Sequence, residues 1–126
     1  NTSSINAISN DEKYIYIGGI NGLKIFDKNT LTCIKELETS FINAISNDEK
    51  YIYIGGSNSL KIFDKNSLTS DITILLGNKK DWCSIDFRKN QVKGTEMCWK
   101  LLTVIDNNNN PFSVDNLSNF ELYNYN

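Results

Sequence analysis

Three cysteines, Cys33, Cys83 and Cys98, carry the only thiols of the chain, and no histidine accompanies them. Without histidine, Ser-His-Asp and Cys-His catalysis and histidine-ligated metal sites are excluded. The odd count and the lack of a Cys-x-x-Cys pair imply neither a zinc framework nor a set of disulfides. Cys83 and Cys98 could be drawn as a redox pair, but their separation matches no redox motif. Reduced, mostly buried thiols in a cytosolic protein are the expected state. Gly18-Gly19 and Gly55-Gly56 suggest a phosphate loop at first sight. No Gly-Lys-Ser/Thr or GxGxxG follows either pair, so both are read as turn glycines. The run from Asp106 through Asn107–Asn110 to Pro111 imitates the start of a calcium loop. Proline stands where such a loop needs glycine, and Leu117 where it needs a bidentate glutamate, so calcium is not expected. Trp82 and Trp99 lie beside charged residues (Lys79, Lys80, Asp81 and Lys100) and could anchor an interface. Packing inside a degenerate structural unit is the competing reading of both. No acid–base pair is recognisable, so the chain is expected to be non-enzymatic, with no cofactor and no metal.

Composition narrows the class further. The 126 residues are 40% hydrophobic with a formal net charge of −2, which describes an ordinary globular chain. A weak negative charge argues against nucleic acid as the main partner, because phosphate binding needs concentrated Lys and Arg. No apolar run approaches the roughly 20 residues of a bilayer span, and no signal-peptide pattern opens the chain. It starts at Asn1 rather than at methionine, which suggests processing or a piece of something longer. A cytoplasmic location is expected.

The elements that must position these residues come from a duplication. INAISNDEKYIYIGG stands at Ile5–Gly19 and again, unchanged, at Ile42–Gly56, a period of 37 residues. Over Ile5–Thr32 the copies differ only at Ile20/Ser57, Gly22/Ser59 and Thr30/Ser67. This is a duplicated structural unit. Each copy offers four strand candidates separated by turn chemistry. INAIS ends at Asn10-Asp11-Glu12-Lys13, and Tyr14–Ile17 is β-branched and aromatic throughout. Asn21-Gly22 is a strong hairpin signal, and Leu23–Phe26 ends at the turn Asp27-Lys28-Asn29-Thr30. The fourth strand is expected at Thr32–Glu38 and at Asp71–Leu76. In Tyr14–Ile17 the tyrosines face one way and the isoleucines the other, so both faces are apolar. Sheets covered on both faces by equivalent neighbours are what radial stacking of blades requires. The fold class is therefore all-β, with blades of the β-propeller type built as four-stranded antiparallel meanders.

The stretch CIKELETSFINAISNDEKYIYIGGSNSLKIFDKNSLT resembles a divergent WD40 repeat. Phe26-Asp27 and Phe63-Asp64 stand in the place of the family's Trp-Asp, and YVTN-type propeller repeats share the pattern. The family's Gly-His pair, expected near Glu38–Ser40, is missing. The histidine-centred network that often braces a WD40 blade therefore cannot form. Phe26, Phe63 and the tyrosines are expected to brace the blades by apolar packing instead.

The organisation expected is residues 1–40 as the first repeat, 41–76 as the second, and 77–126 as a degenerate third blade or an extension. In that third unit Cys83–Phe87 would be a first strand, Lys100–Asp106 a third and Phe112–Leu117 a last. A short helix at Thr95–Ile105 is the alternative, and the tail SNFELYNYN reads as an edge strand or loosely ordered. Two or three blades do not close a propeller, so a longer propeller chain, a homo-oligomer or a partner surface is implied. The role implied by the WD40-like resemblance is a scaffold that binds other proteins through turns on a rigid frame. The candidate contacts are Ile20, Asn21, Ser57 and Asn58, in the turns where most of the differences between the copies fall, with Glu38, Thr39, Trp82 and Trp99. A small-ligand or enzymatic propeller would instead converge Asn6 and Asn43 on a central pocket. A structural subunit of a large complex is the third reading.

Overall fold

The computed structural model describes residues 4–77, 80–95 and 119–123. Among these every regular element is a strand: β1 Ile5–Asn10, β2 Tyr14–Gly19, β3 Gly22–Asp27, β4 Cys33–Glu38, β5 Ala44–Asn47, β6 Tyr51–Gly55, β7 Ser59–Asp64, β8 Ser70–Leu76, β9 Trp82–Asp86, β10 Gln91–Thr95 and β11 Asn119–Tyr123. Strands β1 to β4 form one antiparallel meander in sequential order. Strands β5 to β11 form a second sheet, also in sequential order. The chain divides into two compact units, one of Asn1–Ser57 with Ile62–Thr69, the other of Asn58–Lys61 with Ser70–Asn126.

The first unit shows how the repeats pack. Its core joins Tyr16, Leu23 and Ile25 of the first copy to Ile42, Ile52, Ile54 and Phe63 of the second. The first copy therefore presents its tyrosine face and the second its isoleucine face. Identical YIYI strands use opposite sides because the pleat sends successive side chains to opposite faces. Gly18 makes the contact close: a Cβ there would stand 2.6 Å from Ile42 Cγ2 and 2.9 Å from Ile45 Cδ1. The β2–β3 turn needs its own glycine, since Gly22 has φ 137° and a Cβ would run into the Leu37 carbonyl. Ser59, its counterpart, is not among the positive-φ residues, so that turn takes a different conformation in the second copy.

One turn design recurs three times. Asp27 Oδ1 accepts hydrogen bonds from the amides of Asn29 and Thr30, and Asp64 Oδ1 from those of Asn66 and Ser67. Four residues beyond each aspartate the backbone turns left-handed, at Leu31 (φ 58°) and Leu68 (φ 57°). The β9–β10 hairpin repeats the scheme: Asp86 Oδ1 accepts from the Arg88 amide, and Asn90 has φ 52°. Asparagine tolerates that region better than leucine does.

In the second unit β8, β9 and β10 are antiparallel, and Thr73, Leu75, Cys83, Ile85 and Val92 are buried on them. The expected strand at Cys83–Phe87 is β9, one residue earlier at each end. The tail forms the edge strand β11, which runs parallel to β10 and so departs from a pure meander. The strands expected at Lys100–Asp106 and Phe112–Leu117, and most of the alternative helix, lie outside the described residues. Thr95, where that helix would begin, closes β10 instead. Cys83 is buried as expected, but Cys33 is exposed on β4, the outer strand of its meander. Cys98 lies outside the described residues.

Candidate functional site

The first unit holds a polar lock that spans the two copies. Asp11 opens the β1–β2 turn, its Oδ1 accepting from the amides of Lys13 (2.9 Å) and Tyr14 (2.7 Å). Its other oxygen, Oδ2, accepts from the Tyr16 hydroxyl at 2.6 Å and from Lys65 Nζ at 2.8 Å. Lys65 also donates to Asn47 Oδ1 (2.9 Å), and its ammonium lies 5.6 Å from the centre of the Tyr16 ring. Asn47 Nδ2 in turn donates to Ser9 Oγ (2.5 Å) and to the Asn10 carbonyl (3.1 Å). The lysine and aspartate side chains are only 17% and 23% exposed, so the pair is partly withdrawn from solvent screening. Burial would raise the Asp11 carboxyl, but hydrogen bonds from Lys65, Tyr16 and the two amides outweigh it and hold the group well below the ordinary carboxylate range. Burial, then the bond to Asp11, pushes the Tyr16 hydroxyl well above the usual tyrosine range.

This lock corrects the expectation that apolar packing alone braces the blades. Phe63 does join the core, but an aspartate, a tyrosine and a lysine add a polar brace between the copies. The only sequence signal was that all three recur, as Asp48, Tyr53 and Lys28, and turn chemistry was enough to explain the aspartate and lysine. Asp48 repeats the turn and the bond from its tyrosine, with Tyr53 donating to Oδ2 at 2.6 Å. That bond, ahead of those from the Tyr51 and Lys50 amides, lowers the Asp48 carboxyl. Lys28 donates to Asn10 Oδ1 at 2.8 Å, as Lys65 does to Asn47. These carboxylates are committed to turns and braces. Among the described residues, no group of three or more Cys, Asp or Glu could hold a metal ion.

In the first unit the candidate contacts at the β2–β3 turn and at the end of β4 lie close together. The β3–β4 register opposes Gly22 to Glu38, which brings the turn residues Ile20 and Asn21 beside Glu38 and Thr39. Ile20, Asn21 and Glu38 line a cleft of about 470 Å³, together with Ile5, Ile17, Lys24, Phe26 and Glu36. Lys24 and Glu36 face each other there at 3.8 Å. Thr39 lies just beyond, its hydroxyl donating to the Ser40 carbonyl. Ser57 and Asn58 form the corresponding β6–β7 turn, both exposed. In the second unit Asn58, Leu76 and Trp82 stand in a row, since the Leu76 amide donates to the Asn58 carbonyl and Leu76 opposes Trp82. Trp82 is half-buried, and its amide donates to Thr95 Oγ1 at 3.2 Å. Trp99 lies outside the described residues. Asn6 and Asn43 are both exposed and neither lines the cleft.

No helix among the described residues is long and apolar enough to cross a membrane. No family model matches the chain, and no curated protein matches it. Solved structures do. The computationally designed protein Ika8 matches with a TM-score of 0.51 at 13% identity, over 76% of this chain and 37% of that one. Hsv2 of Kluyveromyces lactis gives 0.46 at 12% identity, over 68% and 34%. Hydrazine synthase of Kuenenia stuttgartiensis gives 0.45 at 15%, over 72% and 36%. The chain thus spans about a third of the length of these propeller-like structures. With its sequential antiparallel strands and the likeness to the designed propeller, the fold of this chain is of the β-propeller type.

Proposed function

We propose that the chain is a non-enzymatic protein–protein interaction scaffold made of WD40-like blades, working in the cytoplasm as part of a larger propeller or assembly. One observation carries this reading. Two of the three differences between the copies, Ile20/Ser57 and Gly22/Ser59, fall at the turn between the second and third strands, while the shared residues Asp11, Tyr16 and Lys65 are used to hold the two copies together. A frame held constant beneath variable turns is the arrangement by which a scaffold changes partners without changing its fold. Aliphatic and aromatic side chains beside a single ion pair line the cleft under Ile20, Asn21 and Glu38. That composition suits a peptide-like surface better than a reaction centre.

A photo-crosslinking amino acid placed at Asn21, and separately at Glu12 in the β1–β2 turn at the other end of the strands, tests the proposal. Discrete adducts with other proteins should form from Asn21 and not from Glu12. Equal labelling from both positions, or none from Asn21, would overturn it.

A further inference from the structure

Over Ile5–Thr32 the two copies have nearly the same sequence but not the same surroundings, and the difference identifies what one face accepts. In the second copy Ile42 is 1% exposed, and Ile52, Ile54 and Phe63 are buried with it against the first copy. Their counterparts in the first copy are Ile5, Ile15, Ile17 and Phe26. Ile5 is 59% exposed and neighbouring Ile8 61%, while the other three are only half-buried. Lys28 lies on the same side as the counterpart of Lys65, and it bonds Asn10 without an aspartate from another repeat. The first copy therefore presents an uncovered insertion face.

The reverse holds for the receiving face. In the first copy Tyr16 is 1% exposed, Gly18 is buried and Asp11 takes the lysine. In the second copy Tyr53 is half-buried, Asp48 is exposed, and among the described residues a Cβ on Gly55 would meet only Ala44 of its own repeat, at 3.8 Å. Among the described residues no isoleucine stands over Gly55 as Ile42 stands over Gly18. The residue 37 positions after Lys65 is Leu102, so the repeat spacing supplies no further lysine for Asp48.

We infer that a second copy of this chain docks on the first head to tail, with Ile5, Ile8 and Lys28 of one chain entering the Tyr53–Gly55–Asp48 face of the other. The template is the interface already formed inside the first unit: an isoleucine over a glycine, and a lysine on an aspartate that also holds a tyrosine hydroxyl. The two halves lie on different parts of the surface, so the contact is heterologous: two chains joined at both faces close a ring, and joined at one they leave a free face. Apolar area covered with a charge pair at its margin is the composition of a specific interface. Ile5, Ile17 and Phe26 of the insertion face also line the cleft assigned above to a protein partner, so a second chain seated there would compete with that partner.

The test uses the whole chain in sedimentation-velocity ultracentrifugation over a concentration series. Two variants each remove one half: Ile5→Asp, at an exposed position on the insertion face, and Gly55→Val, which fills the receiving face where a side chain has room. The unaltered chain should self-associate, and each variant should weaken association by at least about tenfold, as loss of an interface anchor does. An equimolar mixture of the two variants should form a heterodimer, because one chain keeps the insertion face and the other the receiving face. Far-UV circular dichroism of each variant alone confirms that it is folded. A monomeric unaltered chain, variants that associate as it does, or a mixture that stays monomeric would each overturn the inference.

Discussion

Gly18 and Gly55 sit at the same place in two copies of YIYIGG, and among the described residues only Gly18 has side chains from another repeat across from it. Replacing each with alanine therefore separates the interface from the strand. At Gly18 the new methyl would lie 2.6 Å from Ile42 Cγ2 and 3.0 Å from Ile42 Cβ, atoms too near the backbone to swing away. Overpacking of this kind costs about 1–3 kcal/mol. At Gly55 the nearest atoms, Ala44 Cβ and O, lie at 3.8 Å, an ordinary contact. Both substitutions also restrict the unfolded chain, which stabilises by about 0.4–1 kcal/mol. Because the local sequences are identical, that contribution cancels in the difference between the two variants. Gly18→Ala should therefore be less stable than Gly55→Ala by about 1–3 kcal/mol. Gly55→Ala should match or slightly exceed the unaltered chain. Urea unfolding followed by far-UV circular dichroism, at a concentration low enough to suppress self-association, reads the difference directly. Equal midpoints, or a costlier Gly55→Ala, would refute the packing of Ile42 over Gly18.

Two further predictions concern the polar lock. Lys65→Met should cost about 1–2 kcal/mol, because it strips a charged donor from the partly buried Asp11, whereas Lys28→Met should cost less than about 0.5 kcal/mol; a double-mutant cycle of Lys65→Met with Asp11→Asn should show coupling, and additive effects in urea melts would contradict the bond. The Asp11 carboxyl is depressed in the folded state, so its contribution is complete above the unfolded value of about 4 and is lost as pH falls toward the folded one. Stability should therefore drop on acidification more gently in Asp11→Asn than in the unaltered chain, and identical slopes would contradict the assignment.

Much of the frame was legible in the residues themselves. The repeat gave the strands through β8 to within two residues at their ends, because YIYI, LKIF and the Asn-Asp and Asp-Lys-Asn turns each specify a local conformation. The alternation in Tyr14–Ile17 also announced two apolar faces, and both are used between the copies. What was hidden depends on distance along the chain. Asp11 and Lys65 meet only once the sheets stack, and nothing in the local sequence of either residue points to the other. Leu31 and Leu68 gave no sign of a left-handed backbone, since leucine disfavours it and only the surrounding turn enforces it. The third turn is not marked by the repeat, because Asp86 follows Asp64 after 22 residues, well short of the 37-residue period.

Comparing the copies is more informative than either alone. Two segments of the same sequence have the same propensities, the same unfolded ensembles and the same internal hydrogen bonds, so any difference in burial must come from what lies outside them. Tyr16 is sealed while Tyr53 is not, and Ile42 is sealed while Ile5 is not. The covered member of each pair shows the chemistry that satisfies its uncovered twin: a glycine-floored tyrosine face for the isoleucines, an aspartate for the lysine. Each repeat carries both halves of this lock, and a unit of that kind gains stability from every neighbour it acquires. Two units in a row satisfy one insertion face and one receiving face and leave one of each open. The surplus halves are complementary to each other, which is why the same residues that hold the first unit together also define the surface by which a second chain can be recognised.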